Sequence, residues 1–296
     1  MDVAFYWGGN RTSYDHLTAA LEENQAFFEA ENVIFSTNSG KIFRPIFAAN
    51  KALKAGDDIA SVQKELFERL SVTPDTKRIL LIDPKINGSP ARPIPKGISN
   101  PKIAKYINGL KQLFEGHDFK LHIEIRNPAT LIPSAYSESV LNSNYISYQD
   151  YLSEVNADEF IWSPHIQRLQ GRGNKIAGNV WRYEDYPKMW RDIVGAFTGV
   201  SNYQDLAAPK NIPQAGLSFN GAQLLYKYTQ EYSDFPAEEI EKAKSTFLKH
   251  FAYNPGEVLE KHFTPEDVEA LTHKYEDDWY YIERMENLNS ILPREY

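Results

Sequence analysis

The order of apolar and polar positions divides the chain into short strand-like runs and longer helix-like ones. Residues 2–7 (DVAFYW) are almost continuously apolar, the mark of a strand covered on both faces in a parallel sheet. The run breaks at Gly8, and the spacing of Leu17, Ala20, Leu21, Phe27 and Phe28 predicts a helix over about 14–30. A second strand is expected over 32–37, a helix over 51–70, and a third strand over 78–83 that ends in Asp83. The proline- and glycine-rich stretch 84–101 is expected to be a long surface loop folding over a substrate, with a linker as the duller alternative. An amphipathic helix over 100–115 follows. Next, residues 120–125 alternate, with Leu121, Ile123 and Ile125 on one face and His122 and Glu124 on the other. That strand breaks at Arg126-Asn127-Pro128, and the proline suits the first turn of a helix running to about 142. Helices over 147–155 and 163–170, a last strand over 175–184, and helical segments to the end complete the pattern.

Strands alternating with helices define an α/β chain. At 296 residues, 42% apolar and 24% charged, it is long enough to build a substantial core as a single domain, 1–296. A net charge of −8 argues against broad nucleic-acid binding, so an anionic ligand would need a local basic pocket. No cysteine is present, which excludes disulfides and thiolate chemistry and fits a reducing, cytoplasmic setting. No eighteen-residue apolar run predicts a membrane span, and the amino terminus does not read as a secretory signal.

Two turns concentrate the chemistry. Gly8-Gly9-Asn10-Arg11-Thr12-Ser13 lies between a strand and a helix, the layout of a loop whose N–H groups and helix dipole face an anion. It is not a Walker A motif, and a tight turn capped by Thr12 or Ser13 is the simpler alternative. Arg126 closes the central strand, where open α/β sheets bind ligands, and Ser134 follows eight residues later on the next helix. Guanidinium, hydroxyl and helix amino terminus together suit a phosphate; a buried arginine paired with a carboxylate is the alternative.

The segment R-N-P-x5-S-A-Y resembles the 3′-phosphate-binding segment of sulfotransferases that use 3′-phosphoadenylyl sulfate (PAPS), of the bacterial and heparan type. Residues 8–17 align without gaps to that family's phosphosulfate loop, G-x-x-K-T-G-T-T-S-L. Gly8, Thr12 and Leu17 match, Arg11 falls on the lysine, Ser13 on the second glycine, and Tyr14-Asp15-His16 on the hydroxyl run. Arginine offers a fork where lysine offers a point charge, and Asp15 would repel a phosphate unless it turns away or caps the helix. Arg182-Tyr183-Glu184-Asp185 and the segment around 218–225 (SFNGAQLL) follow in the family's order, so the likeness spans about residues 3–232.

The resemblance implies a three-layer P-loop-NTPase-like fold, with a mostly parallel sheet between helices and a helical carboxyl-terminal part over about 233–296. It also implies transfer of a sulfuryl group from PAPS to a hydroxyl or amine, leaving PAP. Arg11 would hold the 5′ side and help the leaving phosphate, with Gly8, Gly9, Asn10, Thr12 and Ser13 around it. Arg126 and Ser134 would hold the 3′-phosphate. Asp83 is the first candidate for general base and His16 the second, with His165 a third and each open to a purely structural role. Glu184 and Asp185 are expected to position Arg182 or a loop rather than do chemistry. The family reaction needs no metal, and no metal motif is present. The acceptor, a small molecule or a carbohydrate, is not legible, nor is the oligomeric state. A catalytically inactive PAP-binding relative and a small-molecule kinase are the alternatives.

Overall fold

The computed structural model describes residues 1–8, 11–82, 103–155, 160–171, 175–212, 216–253 and 263–294. Among these, one sheet of six strands, all parallel, runs through the centre of an α/β architecture. They are β1 (Asp2–Gly8), β2 (Val33–Ile34), β3 (Arg78–Ile82), β4 (Asp118–Ile125), β5 (Gly178–Arg182) and β6 (Leu288–Ser290), in the order β2-β3-β1-β4-β5-β6. β1 occupies the middle because it is apolar on both faces: Val3 to Gly8 are all buried, and Asp2 is opposite Arg78 of β3 and Asp118 of β4.

Parallel neighbours require crossovers, and helices supply them on both sides of the sheet. One face of β1, Ala4 and Tyr6, packs with α1 (Tyr14–Glu23), α2 (Gln25–Ala30) and α9 (Tyr186–Thr198). The other face, Val3, Phe5 and Trp7, joins a larger core. To it belong α3 (Ser39–Ala55), α4 (Ile59–Arg69), α5 (Ile103–Leu113), α6 (Pro128–Leu141), α7 (Tyr148–Ser153), α8 (Ser163–Gln170), α10 (Phe219–Glu231) and α12 (Pro265–Ile282). α11 (Ala237–His250) packs on α10. The result is three layers.

Several expected elements change shape for local reasons. The helix over 14–30 is two helices parted at Asn24, whose amide side chain donates to Ala20 O at 2.8 Å and to Ala207 O at 2.9 Å. The helix over 51–70 is the end of α3 and the whole of α4. Gly56 stops the first at φ 97°, and Asp58 caps the second by accepting from the Ser61 amide at 3.0 Å. The second strand keeps only Val33 and Ile34 of its expected 32–37, and the fifth only Gly178–Arg182 of 175–184. The sheet is wholly rather than mostly parallel. The carboxyl-terminal part is not helical throughout: β6 pairs with β5, Leu288 opposite Gly178. The expected loop 84–101 lies outside the described residues. No helix among the described residues is long and apolar enough to cross a membrane.

Candidate functional site

The order of the strands locates a crevice. From β1 the chain moves out to β2 on one side; from β4 it moves out to β5 on the other. β1 and β4 are neighbours with diverging connections, and ligands of open α/β sheets bind beyond the carboxyl ends of such a pair. The two turns singled out in the sequence leave these two strands.

After β4 the turn is closed by near neighbours. Asn127 caps α6 by accepting from the Ala129 amide at 3.0 Å, with Pro128 as the first helical residue. Arg126 is 3% exposed. Its Nε donates to Thr130 Oγ1 at 3.0 Å, one Nη to Thr130 O at 3.2 Å, and the other Nη to the backbone carbonyl of Arg11. Its guanidinium lies 4.3 Å from the centroid of the Tyr183 ring. Every one of these partners is neutral. Trp162 holds the backbone of the same residue, its indole N–H donating to Arg126 O at 3.0 Å.

After β1 the turn is held from across the sheet. Arg11 has φ 66°, the left-handed backbone that non-glycine residues seldom adopt. Its Nε donates to Ser134 Oγ at 2.9 Å and its Nη1 to Glu138 at 3.2 Å, both on α6. Ser13 precedes α1 without capping it. Its amide donates to Glu124 Oε2 at 3.0 Å, and its hydroxyl lies 2.6 Å and 2.8 Å from the two carboxylate oxygens. Tyr6 donates to Glu124 at 2.6 Å and touches Thr12 Oγ1 at 3.2 Å. Gly8 makes this possible: a Cβ there would stand 2.2 Å from Tyr6 Oη and 2.5 Å from Thr12 Oγ1.

Glu124 is fully buried. Burial pushes its pKa up, and the hydrogen bonds from Ser13 and Tyr6 oppose that push. The Ser13 hydroxyl donates to Glu124, and the Tyr186 hydroxyl lies 3.0 Å from His16 Nδ1.

Arg11, Arg126, Ser134, Gly8, Thr12 and Ser13 therefore meet at the β1/β4 crevice. The resemblance would put Arg11 and Ser134 at opposite ends of a nucleotide, yet here they touch directly. His16 stands apart, wedged between Tyr186 and Trp190 of α9 at 5.3 Å and 5.4 Å, and burial lowers its pKa. His165 is brought down to about 4 by burial and by Arg168. Asp15 shares the electrostatic neighbourhood of Arg11 and Glu138. Asp185 holds Arg182 at 2.7 Å, and Glu184 accepts from the Asn127 amide at 2.8 Å, which ties the β5 end to the β4 turn. Gly9, Asn10 and Asp83 lie outside the described residues.

Glu124, Glu138, Thr130, Tyr183 and Tyr6 are site residues that the sequence reading did not single out. One signal was available: Glu124 and Arg126 follow His122 on one face at the end of a buried strand, and charges there are costly unless used. Among the described residues no group of three or more acidic or histidine side chains could hold a metal ion. No family model, no curated protein and no solved structure matches the chain.

Proposed function

We propose that the chain is a PAPS-dependent sulfotransferase whose nucleotide binds at the β1/β4 crevice. The observation that carries this reading is Arg126, a buried guanidinium whose partners among the described residues are all neutral. A full charge withdrawn from water without a counter-charge is costly, and a ligand phosphate beside it would supply one. Arg11 is the second cation. Its ion pair with Glu138 leaves the two side chains 17% and 23% exposed, so the pair keeps an open side from which a phosphate oxygen can compete with the carboxylate. In this reading Arg11 turns to the 5′ side and the leaving phosphate, while Arg126 and Ser134 keep the 3′-phosphate. The transfer is an in-line displacement that depends on alignment and on neutralising the bridging oxygen. For the acceptor proton, Asp83 is the first candidate, on sequence grounds alone, and His16 the second, its Nδ1 lying 3.0 Å from the Tyr186 hydroxyl. The acceptor is a hydroxyl or amine, with carbohydrate the class favoured by the family likeness.

A second reading, a PAP-binding relative without transfer activity, is favoured by Ser13, whose amide and hydroxyl turn inward to Glu124. Thermal unfolding with PAP, ADP and ATP, with and without magnesium, tests the shared part: stabilisation by PAP alone is expected, and a magnesium-dependent ATP shift would overturn it. Transfer from labelled PAPS to an acceptor panel separates the two readings. Arg126→Ala is expected to abolish the PAP shift while the protein still melts cooperatively.

A further inference from the structure

One buried carboxyl group in the crevice has no task in sulfuryl transfer. Glu124 collects the Ser13 amide, the Ser13 hydroxyl and the Tyr6 hydroxyl, donors that come from the β1–α1 loop and from β1 itself. Amides at the start of a helix are the usual ligands of a bound oxyanion, and here the Ser13 amide is already committed to a carboxylate of the same chain. Ser13 forgoes capping α1 in order to hold that carboxylate. Gly8 leaves the space in which Tyr6 and Thr12 close over it. We propose that Glu124 is a resident anion, holding the loop by donors that a ligand oxyanion would use, so that its charge decides which anions the crevice accepts.

This takes the crevice to be an anion site, as the sulfotransferase reading does, but it can be tested without a nucleotide. A second anion entering beside an ionised Glu124 is repelled. Once Glu124 is neutral the repulsion disappears while the geometry of the loop stays. The groups that face it or join its network are Tyr6 of β1, Ser13 and Arg11 of the loop, His16 of α1, Arg126 after β4, Trp181 of β5, Tyr183 after β5, and Tyr186 of α9. Asp15 and Glu138 stand beside Arg11 at the edge of this network.

Inorganic sulfate is the probe, because its charge is constant between pH 5 and pH 8. Titration calorimetry on the wild type and on Glu124→Gln at both pH values is expected to show the variant binding sulfate about tenfold or more tightly at pH 8. Wild-type affinity should rise on acidification; the variant, which keeps His16 and Asp15, should stay flat. Equal or weaker sulfate binding by a variant that melts normally overturns the proposal. Should the variant not fold, Tyr6→Phe removes the 2.6 Å donor, and the acid-induced gain must then begin at higher pH; an unmoved profile overturns the proposal equally. If Glu124→Gln gains sulfate affinity while neither protein prefers PAP to ADP, the resident anion stands and the sulfotransferase reading falls. If both prefer PAP with the same affinity, the reverse holds.

Discussion

The turn after β1 and the turn after β4 carry the same parts, an arginine beyond a strand end and then a helix, but they are built by opposite means. The β4 turn closes on itself, with Asn127 on Ala129 and Arg126 on Thr130. The β1 loop has no side-chain cap of its own and is fastened by Glu124, 111 positions from Ser13. The two are also unequal partners. Arg126 grips the carbonyl of Arg11, whose left-handed backbone would otherwise be free to relax. The self-contained turn is the anchor, and the loop that would meet a ligand is suspended from it and from the strand beneath.

Given that asymmetry, the largest effects fall where the loop touches the sheet. Gly8→Ala would drive a methyl group into Tyr6 and Thr12, and urea unfolding is expected to show a loss of about 3 kcal/mol. A loss below about 1 kcal/mol would mean that the two side chains yield, and that the loop is less tightly seated than its contacts imply. Next comes the polar face of β4 that Glu124 shares with His122. Burial, with Arg78 and Lys120 assisting, lowers the His122 pKa to about 3. An unfolded histidine titrates near pH 6.5, so above that value His122 is neutral in both states and contributes nothing to the pH dependence. Below it the unfolded chain takes up a proton that the folded chain refuses until about pH 3. Stability should therefore fall by up to about 1.4 kcal/mol per pH unit in that window. His122→Phe should flatten this part of the slope, whatever it does to absolute stability; an unchanged slope would assign the acid sensitivity elsewhere.

Smaller effects belong to the self-contained turn and the surface. Asn127→Ala removes one cap and is expected to cost about 1 kcal/mol. Glu138→Gln should change stability by about 0.5 kcal/mol or less, since the pair it breaks is partly solvated. If Glu138→Gln proved costlier than Asn127→Ala, the ranking of local over long-range devices at the surface would be reversed.

The same contrast explains what was legible in the sequence. The β4 turn could be read because proline, asparagine and alternation all act within a few residues. The α/β class and the central β1 were visible for a similar reason: a continuous apolar run has few other uses. Glu124 showed only as a polar member of an alternating strand, because its partners Tyr6 and Ser13 are brought to it by sheet pairing rather than by spacing. β6 was missed because Leu288-Asn289-Ser290 has no strand-like pattern of its own and exists through its pairing with β5. The split of the 51–70 helix was recoverable: Gly56 and Asp58 are a stop and a start with one residue between them.

The placement of β1 has a consequence for how the polypeptide is made. Its hydrogen-bonding edges wait for Arg78–Ile82 and Asp118–Ile125, and Tyr6 meets Glu124 across 118 positions. Throughout that interval of translation, a ribbon apolar on both sides must be shielded from other nascent chains. A protein arranged in this way is expected to fold more slowly than one whose central strand is joined by its nearest neighbours in sequence.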